Sequence, residues 1–88
     1  MKRKIINADK EFVLYTDGSS ERMTESKLNE VLKYALQERV FYARYIIELE
    51  KELEQTTDTA RIEVLNDLIF RADQEFTRYY NISDKLTR

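Results

Sequence analysis

The chain has 88 residues, 42% of them apolar and 36% charged, with a net charge of −2 from 15 basic and 17 acidic side chains. That length allows one domain, 1–88, in the range where a single core is only marginally sufficient, and the near-neutral balance speaks against a nucleic-acid-binding polycation. With neither cysteine nor histidine, disulfides, thiolate metal sites and histidine general bases are excluded.

Lys2, Arg3 and Lys4 open the chain without a signal-type apolar stretch behind them. They could touch phosphate or simply solubilise the terminus. No apolar run approaches the roughly 20 residues that cross a bilayer. The expectation is a cytoplasmic protein that needs no cofactor or metal and has no membrane partner.

Two antiparallel strands are predicted over about 3–7 and 11–16, with a short third segment near 21–23. Phe12, Val13, Leu14, Tyr15 and Thr16 are aromatic or β-branched for the most part, and Asp17-Gly18 after them is a strong hairpin signal. Gly18 is the single glycine, and there is no proline, so no long flexible linker is indicated. A β-unit this small, about 3–23, must lie on helices to persist.

Thr24 or Ser26 can cap a first helix by accepting a bond from an unpaired backbone amide. This helix is expected over about 25–55. Its seam reads Leu28, Leu32, Ala35, Arg39, Tyr42, Ile46, Leu49 and Leu53, alternating steps of three and four as a helix against a partner helix does. Thr56-Thr57-Asp58-Thr59 pairs weak helix formers with good caps, so the chain turns there. A second helix is expected over about 59–82, with the seam Ile62, Leu65, Ile69, Ala72, Phe76, Tyr79, Ser83 and Leu86. So short a connection makes the helices antiparallel neighbours. The fold class is therefore α+β: an N-terminal β-hairpin, with three short strands as an option, packed on a long two-helix hairpin.

The second helix is amphipathic in the ordinary way, with Glu63, Asp67, Arg71, Glu75 and Arg78 alternating in sign on its outer face. The first is not. Leu36, Val40, Phe41, Tyr45 and Ile47 are apolar outside its seam, and a helix apolar on most sides is covered on most sides. The expected cover is another copy of the chain, as a dimer or dimer of dimers. Aromatic and arginine residues concentrate binding energy at interfaces. The candidate interface residues are thus Arg39, Val40, Phe41, Arg44, Tyr45, Ile47, Phe70 and Tyr80.

Arg39 admits two readings: its stem packs at the seam's edge while its head reaches water, or it is buried at an interface and bonded to a carboxylate or ligand, with Asp73, Glu75 or Glu38 of a symmetry mate as partners. Residues 48–58 hold five acidic side chains against Lys51, and pairs such as Glu48/Glu52 stand one helical turn apart. A dedicated cation site wants more oxygen ligands than one pair offers, so this reads as a solvated face. No phosphate-cradling glycine loop or serine-centred elbow is present. The functional expectation is a non-catalytic, homo-oligomeric interaction module, of the kind phages and mobile elements use to bind and inhibit a larger protein. The alternative is an oligomer that sequesters a nucleotide between subunits with Arg39, Arg44, Arg71 or Arg78 and tyrosines.

Overall fold

Alternation along the first third of the chain becomes a three-stranded antiparallel sheet in the computed structural model, which describes residues 3–88. Lys2, part of the basic start, lies outside those residues. The strands are β1 (Ile5–Ala8), β2 (Phe12–Tyr15) and β3 (Ser20–Arg22), in spatial order β1-β2-β3. They are shorter than predicted, and the third segment is a true strand, its Glu21 opposite Val13 and its Ser20 opposite Leu14. Successive side chains point to opposite faces. Val13 and Tyr15 are accordingly buried while Phe12 and Leu14 stay exposed. The register of β1 on β2 slips between Ile5 and Asn7, so a bulge at Ile6 bends the edge strand.

Two local devices set the turns. Asp9 joins β1 to β2: its Oδ1 accepts the Glu11 and Phe12 amides, each at 2.8 Å, and these bonds hold its carboxyl below the usual aspartate value. The Asp17-Gly18 pair joins β2 to β3. The Gly18 amide donates to the Tyr15 carbonyl at 3.0 Å, and Tyr15 donates to Ser19 at 2.9 Å. Among the described residues Gly18 alone has a positive φ, 85°, as in a three-residue hairpin loop with glycine in the left-handed position. No atom would meet an added Cβ there. Gly18→Ala is therefore expected to cost about 1 kcal/mol, from backbone strain alone, read as a lower urea midpoint with an unchanged slope.

Helix α1 spans Glu25–Gln55 and helix α2 spans Thr59–Thr87. Thr24, not Ser26, caps α1, its hydroxyl accepting the Lys27 amide at 3.1 Å. Thr56 closes α1, its hydroxyl donating to the Glu52 carbonyl at 2.7 Å, and Asp58 opens α2 by accepting the Ala60 amide at 3.1 Å. Arg61 clasps Glu52 through two guanidinium nitrogens across this turn. α2 continues five residues beyond the expected end because its last turns are docked: Ile82, Ser83 and Leu86 are buried.

The main core lies where the sheet meets the helices. Ala8, Val13 and Tyr15 pack with Val31 and Ala35 of α1 and Tyr79, Ile82 and Leu86 of α2. Toward the hairpin tip no sheet is present, and Leu49, Leu65 and Ala72 are buried between the two helices alone. The molecule is correspondingly elongated, 50 × 25 × 18 Å.

Candidate interaction surface

Helical geometry divides the apolar excess of α1 into two stripes. At 3.6 residues per turn, Leu36, Val40, Ala43 and Ile47 fall within about 60° of one another. Phe41 and Tyr45 fall on a separate flank, with Arg44 between the two. Val31 and Tyr34, which belong to the sheet-side core, lie roughly half a turn away from the first stripe. The sheet therefore shields one side of α1 and α2 another; Val40 and Ile47 face away from both, while Leu36 borders α2, lining a groove with Arg39, Tyr80, Ser83, Asp84 and Thr87.

Leu36, Val40 and Ile47 are all exposed, with Ala43 half-buried between them. An open depression beside Leu36 is walled by Asn29, Leu32, Lys33, Gln37 and Val40. On the second flank the Phe41 and Tyr45 rings stack at 6.2 Å, 23° from parallel, and Phe41 meets Tyr42 edge-on at 5.1 Å. Gln37, Arg44 and Glu48 rim this aromatic pair.

Arg39 is half-buried, and within the chain it has partners that neither sequence reading named. Its guanidinium donates to Ser83 Oγ at 2.9 Å and lies 4.6 Å from the centre of the Tyr80 ring. Within the chain it bonds neither Asp73 nor Glu75; Glu75 instead pairs with Arg78 at 3.1 Å. The two polar breaks in the seams, Arg39 and Ser83, thus answer each other across the hairpin, and the Ser83 hydroxyl itself donates to the Tyr80 carbonyl at 2.9 Å. A hydrogen bond to a charged group is worth more than a neutral one. Ser83→Ala is expected to cost about 1–2 kcal/mol, and a double-mutant cycle with Arg39→Met should recover most of that as coupling.

The candidate residues are not one constellation. Val40 and Ile47 share the first stripe, while Phe41, Arg44 and Tyr45 share the aromatic flank. Tyr80 and Arg39 bind each other at the hairpin groove. Phe70 stands apart, exposed and about 140° around α2 from the buried Leu65. Leu36, outside the candidate set, belongs to the first stripe by its four-residue step to Val40. Arg71 is held by Asp67 at 3.1 Å on the outer face of α2.

A second cleft lies between the sheet and α1, lined in part by Arg3, Lys4, Lys27 and Lys33. Part of its charge is answered from within, because Glu21 bonds both Arg3 and Lys27 and Glu30 lies 3.7 Å from Lys27. The Lys27 bond pulls the Glu21 carboxyl below its usual value; burial opposes it, and the Arg3 bond adds to the lowering. Among the described residues no acidic cluster is arranged to hold a metal ion, and no helix is long and apolar enough to cross a membrane. Comparison with family models, characterised proteins and solved structures returns no match for this chain.

Proposed function

We propose that this is a non-catalytic cytoplasmic interaction module that self-associates through α1 and offers its aromatic flank to a larger protein. One observation carries the reading. Within the twelve residues 36–47, Leu36, Val40, Phe41, Tyr45 and Ile47 remain 44, 52, 58, 36 and 51% exposed. Apolar side chains scattered singly over a surface are ordinary, but five within twelve residues, in two neighbouring stripes of one helix, fit an interaction surface. Burying such side chains stabilises by roughly 25 cal/mol per Å², which a small domain with a marginal core can gain only from another surface.

The two stripes divide the work. The aliphatic stripe, straight and evenly spaced, suits a second helix. The stacked Phe41–Tyr45 pair beside Arg44 has the residue types in which binding energy concentrates, and a partner whose activity is blocked by docking there would make the module an inhibitor. Sedimentation at micromolar concentration tests the first half: a species twice 10.6 kDa or larger is expected, and a monomer overturns it. The second half is tested by recovering a partner with the native chain and losing it with Phe41→Ala and Tyr45→Ala.

A further inference from the structure

Leu36, Val40, Ala43 and Ile47 repeat the step pattern four, three, four, which makes them a second heptad seam on α1. Continued outward, the same seam passes through Lys33 and Asn29 at one end and Glu50 and Glu54 at the other. It is apolar in the middle, basic at one end and acidic at the other. A stripe so polarised is complementary to itself only when reversed.

We propose that a second copy of the chain docks along this stripe with its α1 antiparallel, centred between Val40 and Ala43. This deepens the self-association proposed above and rests on it. A two-fold interface is isologous, so every cross-contact occurs twice. In this register Leu36 faces Ile47 of the second copy, Val40 faces its Ala43, and Lys33 faces its Glu50. On the rim, Glu30 comes opposite Lys51 of the second copy.

The competing arrangements fail on charge. Parallel pairing sets Lys33 on Lys33 and Glu50 on Glu50, and charges of this kind choose orientation in paired helices. Sliding the antiparallel copy by one heptad sets Val40 and Leu36 against Glu50 and Glu54. Sliding it the other way sets Ile47 against Asn29 and Lys33 against Ala43.

The surface relief agrees. A side chain from a facing helix enters a hole made by four residues of its partner. The depression on α1 contains two such holes in succession, one from Asn29, Leu32, Lys33 and Leu36, the other from Lys33, Leu36, Gln37 and Val40. In the proposed register Ile47 of the second copy enters the latter and its Glu50 enters the former, beside Lys33. The sheet, on the far side of α1, leaves the approach open.

Cysteine placement reads the orientation directly, because the native chain has none. Leu36→Cys mixed with Ile47→Cys is expected to give a disulfide-linked dimer on oxidation. Either variant alone should not, its two thiols standing roughly 16 Å apart along the helices. Charge reversal on exposed positions gives an independent answer without touching the apolar centre. Lys33→Glu alone should weaken the dimer about tenfold or more, as should Glu50→Lys alone. The double variant Lys33→Glu with Glu50→Lys should recover native affinity. If Leu36→Cys crosslinks to itself and the single reversals are neutral, the antiparallel arrangement is overturned. If a dimer forms that ignores both sets of variants, this face is overturned while self-association stands. A native chain that sediments as a monomer overturns both.

Discussion

Val40→Glu and Ile47→Glu are each expected to convert the assembly to monomers of 10.6 kDa while helix content stays unchanged. Both side chains are about half exposed in the single chain, so a carboxylate at either position stays hydrated there and alters folding by within about 0.5 kcal/mol. At a helix–helix contact the same carboxylate loses its water among apolar side chains, and Lys33, at the edge of the hole that Ile47 enters, is already opposed by Glu50 of the second copy. Leaving a buried charge unpaired costs on the order of 3–5 kcal/mol, and a two-fold interface incurs that cost at two places. Since about 1.4 kcal/mol is a tenfold change in affinity, dissociation should rise by more than about a hundredfold.

Sedimentation with circular dichroism on the same samples checks both halves of that expectation. Glu52→Ala and Glu63→Ala, both at exposed positions off the docking stripe, provide the contrast, since exposed charges contribute roughly 0–1 kcal/mol. Should those acidic variants dissociate the assembly while Val40→Glu does not, the contact lies at the hairpin tip and the reading of α1 falls. Loss of helix content in Val40→Glu would instead place that side chain in the chain's own core.

Tyr79→Ala should have the largest effect on folding, a loss of about 3–5 kcal/mol from a chain of a length that typically holds roughly 4–13 kcal/mol in all. Tyr79 is 3% exposed and central to the aromatic part of the core. Its ring stacks on Tyr42 at 6.2 Å and meets Tyr34 edge-on at 5.7 Å. Alanine there empties the junction of both helices and the sheet. Phe70→Ala is the matched control, because that ring is exposed and should change stability by within about 0.5 kcal/mol. Urea midpoints decide between them; equal losses would mean that the junction is not where the fold is held.

Tyr79 also gives the fold an alkaline limit. Burial, reinforced by the neighbouring Tyr34 hydroxyl, raises its pKa well above the ordinary 10.0. The stabilising contribution is complete below that ordinary value. As pH rises past it the unfolded chain releases a proton that the folded chain keeps, so stability falls. Tyr79→Phe, which keeps the ring and removes the proton, should flatten this part of the pH profile.

Caps and periodicity are local, and what depends on them alone is legible in the order of the amino acids. The bounds of α1, Glu25–Gln55, follow from Thr24 at one end and the Thr56–Asp58 turn at the other. The antiparallel hairpin and both seams follow from the step pattern, and Leu65, Ala72 and Tyr79 are buried as seam residues should be. The three-strand sheet is only partly legible, since segments of three or four residues carry little alternation.

Tertiary structure decided what depends on distant residues. α2 runs on to Thr87 although Asn81, Ser83 and Asp84 are weak helix formers, because Ile82 and Leu86 gain burial in the sheet-side core. Arg39 and Ser83 can each be seen as a break in its own seam. Their pairing requires the register of one helix on the other, which a period of seven leaves free. The division of the apolar excess is likewise invisible in sequence. Val31 and Leu36 are both apolar residues of the first helix, yet Val31 lies under the sheet and Leu36 does not. Only the direction from which the sheet packs separates a core position from a surface one, and that direction is set by contacts between segments that a single helix's sequence does not contain.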